Sequence, residues 1–166
     1  MRLLRRTVLA GIALIGLGVT PLTAGADGPV LLTVTNPKVQ GAAGTLTFTR
    51  KQLNSLDQRK IRTRTEFTDG TKTFEGPRIA DLLGMIGQSD ATTVRMVAAN
   101  DYAVEIDLVE IRNFDPIIAM RMDGEPLSLR DKGPLWVMYP LDDFIELQDP
   151  AYNSRLIWQL TRMVLE

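Results

Sequence analysis

The stretch from Met122 to Asp143, MDGEPLSLRDKGPLWVMYPLDD, constrains the fold more than any other part of the chain. Asp123-Gly124 at its head is a two-residue hairpin signal, because both central positions of a type I′ turn need φ > 0 and Gly accepts this without strain. An apolar run, Pro116 to Met122, enters the turn. A second, Leu135 to Tyr139, follows a break at Gly133-Pro134. Trp136-Val137-Met138-Tyr139 does not alternate, so it predicts a strand covered on both faces. The run stops at Pro140 and meets two carboxylates, Asp142 and Asp143. Polar groups just beyond a buried strand suit a site; a solvated acidic loop is the plainer reading.

A second Asp-Gly signal, Asp69-Gly70, follows an alternating stretch, Lys60 to Thr68. There Ile61, Thr63, Thr65 and Phe67 share one side and Arg62, Arg64 and Glu66 the other. That pattern predicts a half-exposed strand, turned by Asp69-Gly70 into Thr71 to Phe74. Arg62 and Arg64 could hold an anion, but a solvated sheet face is the preferred reading. Upstream, Val30 to Thr35 predicts a strand, Gly41 to Gly44 a turn, Thr45 to Phe48 a strand, and Thr49 the cap of a helix through Leu56. Ile79, Leu82, Leu83 and Ile86 predict an amphipathic helix with Pro77 at its first position and Gly87 at its end. Thr93 to Ala98 and Ala103 to Ile106 predict strands around Asn100-Asp101-Tyr102. Asp107 is placed to cap a short helix containing Leu108, Val109 and Ile111. The end, Leu156 to Glu166, fits either a helical face or a strand.

The 166 residues amount to one domain, with 45% hydrophobic and 23% charged residues. The chain contains no Cys and no His. A thiolate nucleophile, a Ser-His-Asp machine and an ordinary zinc site are thereby excluded. Residues 1–26 predict an export signal. Arg2, Arg5 and Arg6 precede an apolar run, Val8 to Val19, shorter than the ~20 residues of a membrane span. Ala24-Gly25-Ala26 is a cleavage pattern, with cleavage expected after Ala26. Arg5-Arg6 is a weak match to a twin-arginine signal, so the export route stays open. The expectation is a periplasmic domain over residues 27–166, with no membrane span after cleavage. Its 16 basic and 20 acidic residues, a net of −4, offer nothing to nucleic acid.

Several segments resemble the oxidoreductase molybdopterin-binding domain family, of sulfite-oxidase-type fold. Phe74-Glu75-Gly76-Pro77-Arg78-Ile79-Ala80-Asp81-Leu82-Leu83 resembles its F-x-G-x-x-L-x-D-L-L element, and Asn100-Asp101-Tyr102 its D-G-Y turn. Ile117 to Met120 followed by Asp123-Gly124-Glu125-Pro126-Leu127 resembles its hairpin, Gly133 to Pro140 its "GxPxRlvvP" strand, and Ser154-Arg155 to Trp158 its late "vKW" element. These matches run in order over about residues 60–166. The resemblance implies an α+β fold of mixed, mainly antiparallel β-sheets with a few short helices. It also implies a turn of helix near Tyr152–Arg155 followed by a strand. Active members hold molybdenum through a cysteine thiolate upstream of the F-x-G element, where this chain offers Thr63, Arg64 and Thr65.

The leading expectation is therefore a periplasmic binding or accessory and sensory module on this fold, without molybdenum catalysis. Its candidate lining is Asn100, Asp101, Tyr102, Arg121, Trp136, Tyr139, Asp142, Asp143, Tyr152, Arg155 and Trp158. Aromatic walls with a few polar groups suit a small molecule, and Arg155 could clamp a carboxylate or phosphate. No catalytic residue, metal ligand or cofactor is expected, molybdopterin entering only through the resemblance. The partner is a small-molecule ligand or a periplasmic or membrane protein. The alternatives are a molybdopterin-dependent oxidoreductase with a cysteine-free cofactor site, and carboxylate chemistry at Asp142 and Asp143. Whether the chain is an enzyme stays open.

Overall fold

The structure, a computed structural model, describes residues 28–87, 90–130 and 132–166. The expected export signal lies outside the described residues. Strand β1 (Val30–Thr35) turns Leu32 and Val34 into the core and pairs antiparallel with β2 (Thr45–Thr49). Thr49 then starts helix α1 (Arg50–Ser55). Its hydroxyl accepts the Gln52 N–H, and Gln52 Oε1 accepts the Thr49 N–H at 2.8 Å. This reciprocal capping box satisfies two of the donors a helix start leaves unpaired.

Strands β3 (Gln58–Arg64) and β4 (Thr71–Pro77) form the first hairpin. The strand expected to reach Thr68 ends at Arg64. Thr65 turns the chain instead: its Oγ1 accepts the Phe67 N–H at 3.1 Å and meets Thr68 Oγ1 at 3.0 Å. Residues 65–70 form the loop, so Asp69-Gly70 is not a two-residue turn here. Helix α2 (Ile79–Ile86) buries Ile79, Leu82, Leu83 and Ile86 and stops at Gly87, whose φ is 80°. Pro77, expected to open this helix, closes β4 opposite Gln58, and Arg78 bridges to Ile117. Sheet pairing outlasts the local preference for a helix start.

Strands β5 (Thr93–Ala98) and β6 (Ala103–Asp107) lead to helix α3 (Leu108–Phe114). Asp107 occupies the cap position without a side-chain bond. The apolar run after Pro116 is divided: β7 (Ile117–Ala119) and β8 (Arg121–Met122) belong to different sheets. Asp123 (φ 53°) and Gly124 (φ 86°) make the expected turn into β9 (Glu125–Pro126). Strand β10 (Trp136–Met138) pairs with β7, and every residue of both is buried. The two-faced burial read from the non-alternating run is what the structure shows. A 3-10 turn over Pro150–Arg155 precedes β11 (Leu160–Leu165), which settles the ambiguous C-terminus as a strand.

The largest sheet runs β2-β1-β11-β5-β6, with β1 and β11 parallel and the other pairs antiparallel. A four-stranded sheet runs β3-β4-β8-β9. The β7–β10 ribbon lies in the core. Trp136, fully buried, meets Phe74 edge to face at 5.3 Å, and burial of each such side chain contributes roughly 1.5–3 kcal/mol. Gly76 explains the glycine of the F-x-G element: a Cβ there would stand 1.9 Å from the Ile118 carbonyl oxygen. The fold is thus α+β with mixed, mainly antiparallel sheets. Among the described residues, no helix is long and apolar enough to cross a membrane.

Candidate functional site

Three loops gather at one cavity of about 350 Å³. The β3–β4 loop brings Glu66 and Phe67, the β5–β6 turn Asn100 and Tyr102, and the 3-10 segment and its exit Asn153, Ser154 and Trp158. Each loop is fixed by its own chemistry. Asn100 Oδ1 accepts the Tyr102 N–H at 3.2 Å, and Asp101 between them sits at φ 64°, a conformation Asp tolerates. The Tyr102 hydroxyl donates to the Ser154 carbonyl at 3.3 Å, tying two loops together. Phe67 and Trp158 meet at 5.0 Å with planes inclined at 61°, forming a corner of the cavity. Among the described residues the lining carries a single charged side chain, Glu66.

Phe67 also lines a second cavity of about 420 Å³, whose lining includes Trp136, Lys72, Lys132, Asp69 and Glu125. Lys132 Nζ lies 5.3 Å from the ring centroids of both Trp136 and Trp158. Lys72 is held by Asp123 at 3.0 Å.

Of the residues expected to line one site, the structure brings Asn100, Tyr102 and Trp158 together. Trp136 lines the neighbouring cavity, and its Nε1 donates to the Leu156 carbonyl at 3.0 Å. Asp101 turns to β11 and pairs with Arg162 at 3.3 Å. Arg121 pairs with Glu75 across β8 and β4 at 3.7 Å. Tyr139, Tyr152 and Arg155 form a separate cluster around Glu110. The Tyr139 hydroxyl donates to Glu110 Oε1 at 2.8 Å, Arg155 Nε reaches the same oxygen at 3.3 Å, and the Arg155 guanidinium lies 5.9 Å from the Tyr152 ring centre. Burial, reinforced by the Glu110 carboxylate, holds the Tyr139 hydroxyl well above the usual phenol range. Tyr139 is therefore a neutral donor at physiological pH, not a base.

Asp142 and Asp143 do not act as a pair. Asp142 accepts the Arg64 N–H at 3.1 Å and pairs with Arg64 Nε at 3.4 Å, while Asp143 is exposed. The Asp142 N–H donates to Thr63 Oγ1 at 3.1 Å, and Thr63 is fully buried. Thr63 and Thr65 are both engaged within the fold. The cavity's lining residues outside the expected set are Glu66, Phe67, Asn153, Ser154, Leu156 and Ile157. The Thr65-x-x-Thr68-Asp69-Gly70 cluster was the available signal, since such residues mark a loop and not a strand.

Residues 38–142 match the family described as oxidoreductase molybdopterin binding domain. No curated protein matches the chain. Among solved structures, the chain is similar to the sulfane dehydrogenase SoxCD from Paracoccus pantotrophus, at 13% identity and a TM-score of 0.59. That likeness covers 81% of this chain and 37% of that one, so the chain spans little more than a third of its neighbour. The match spans more than half of the sequence, and the chain belongs to the oxidoreductase molybdopterin binding domain family, with a sulfite-oxidase-type fold.

Proposed function

We propose that this family member is a periplasmic small-molecule-binding module with an accessory or sensory role, and that it does not carry out molybdenum chemistry. The observation that carries the reading is the donor set around the Phe67–Tyr102–Trp158 cavity. A molybdenum dithiolene is held by a soft thiolate, and a pterin phosphate by cations. This chain has neither Cys nor His. Among the described residues the cavity's charged lining is one carboxylate, Glu66, which repels a phosphate. Thr63 and Thr65 spend their hydroxyls on Asp142, Phe67 and Thr68. Among the described residues, no three His, Cys, Asp or Glu side chains gather as a metal site. These features support a reading without the family's cofactor.

The periplasmic part of the reading rests on residues 1–26, with their arginines, apolar run and Ala24-Gly25-Ala26 pattern. The second reading, a molybdopterin-dependent oxidoreductase with a cysteine-free site, is favoured by family membership. Native mass spectrometry of the protein from the periplasmic fraction of its host tests both. The expected species is a chain starting at Asp27 with a small-molecule adduct or none. A stoichiometric adduct of molybdopterin mass overturns the proposal, and recovery only from the cytosol overturns its location.

A further inference from the structure

We infer that the cavity between Phe67, Tyr102 and Trp158 takes a small organic cation, of the quaternary or methylated ammonium class. The inference rests on the small-molecule-binding reading above and names its ligand. Three aromatic side chains from three separate loops line one opening of about 350 Å³. Tyr102 and Trp158 are both large apolar residues left substantially exposed, at 46% and 39%. Exposed aromatic groups from separate loops, gathered at one cavity, suit a ligand that the rings themselves recognise. The face of each ring carries the negative lobe of a quadrupole, which attracts a desolvated ammonium placed over it.

The electrostatics agree. Glu66 supplies a carboxylate, and no Lys or Arg stands among the described lining residues. Asn100 and Asn153 add neutral amide groups. Trp158 already takes part in one such contact, with Lys132 Nζ at 5.3 Å from its ring centre. Lys132 lines the neighbouring cavity, and is the nearby positive charge a bound cation must tolerate. Arg155, next to the lining residue Ser154, is paired with Glu110 at 3.3 Å. An anionic ligand would meet the Glu66 carboxylate at the lining itself.

The test is a titration of the purified protein with choline and with 3,3-dimethylbutan-1-ol, its uncharged isostere, followed by indole fluorescence and by NMR shifts of the Trp158 ring. Saturable choline binding is expected, with the alcohol weaker by about two- to thirty-fold. Glu66→Gln, at an exposed loop position, is expected to weaken choline several-fold without changing the melting temperature. Trp158→Ala is expected to weaken it at least as much. Equal binding of the alcohol overturns the cationic ligand and leaves the small-molecule site standing. No binding of either probe overturns the inference at this cavity. The underlying reading fails separately, by molybdopterin found in the native protein. If Trp158→Ala does not fold, Glu66→Gln decides the question alone.

Discussion

The Thr63 hydroxyl accepts the backbone N–H of Asp142 at 3.1 Å, joining residues 79 apart in sequence. It closes the end of β3 onto the segment after β10. Asp142 reciprocates by accepting the Arg64 N–H. The buried Thr63 side chain is here part of the scaffold.

Thr63→Val removes that acceptor and leaves the Asp142 N–H without a partner. A loss of about 1–3 kcal/mol in stability is expected, read from the urea midpoint with an unchanged slope. Choline binding at the Phe67 cavity is expected to persist, because Thr63 does not line it.

Gly76→Ala tests why the F-x-G element needs its glycine. The new methyl would lie 1.9 Å from the Ile118 carbonyl oxygen and 3.0 Å from Ala119 Cα, both backbone atoms that cannot turn aside. Destabilisation of more than about 3 kcal/mol is expected, at the upper end for overpacking. Thermal unfolding checks it; a melting temperature within a few degrees of the parent contradicts the close approach of β4 and β7.

Tyr139→Phe leaves Glu110 Oε1 with Arg155 alone. The lost charged hydrogen bond is expected to cost about 1.5–3 kcal/mol at neutral pH. Burial raises the Tyr139 pKa in the folded state. Its contribution is therefore complete below the unfolded phenol value of about 10 and is lost as pH rises towards the folded value. The parent is expected to lose stability above that pH more steeply than the variant, as denaturant midpoints across the alkaline range will show.

Asp123→Asn addresses the opposite limb. The Thr73 N–H at 2.9 Å, and then the Lys72 ammonium, hold the Asp123 carboxyl below the usual carboxylate range. Its contribution is present above about pH 4 and is lost as pH falls through the lower folded value. Asn tolerates the left-handed backbone and keeps an acceptor for Thr73. A shallower acid limb in stability is expected for the variant.

The strands and helices were legible where one pattern dominated. Leu32 and Val34, the Ile79 to Ile86 stripe and the Trp136 to Tyr139 run each fold as their spacing predicts. Pro77 and the Lys60 to Thr68 stretch were not, because tertiary pairing decided them: Pro77 stays with Gln58, and Thr65 bends the chain by a side-chain bond. The candidate site was half legible. Asn100, Tyr102 and Trp158 meet because the β5–β6 turn and the segment before β11 lie at the same end of one sheet. Tyr139 and Arg155 are equally suited to a pocket by residue type. No spacing in the sequence shows that Glu110, on α3, satisfies both of them.

The most direct measurement is molybdenum and pterin content per chain, in protein purified from its native host. Folded protein with neither above background is expected. Molybdenum and pterin near one equivalent each contradict that expectation, and show that the family's cofactor is held here without a thiolate.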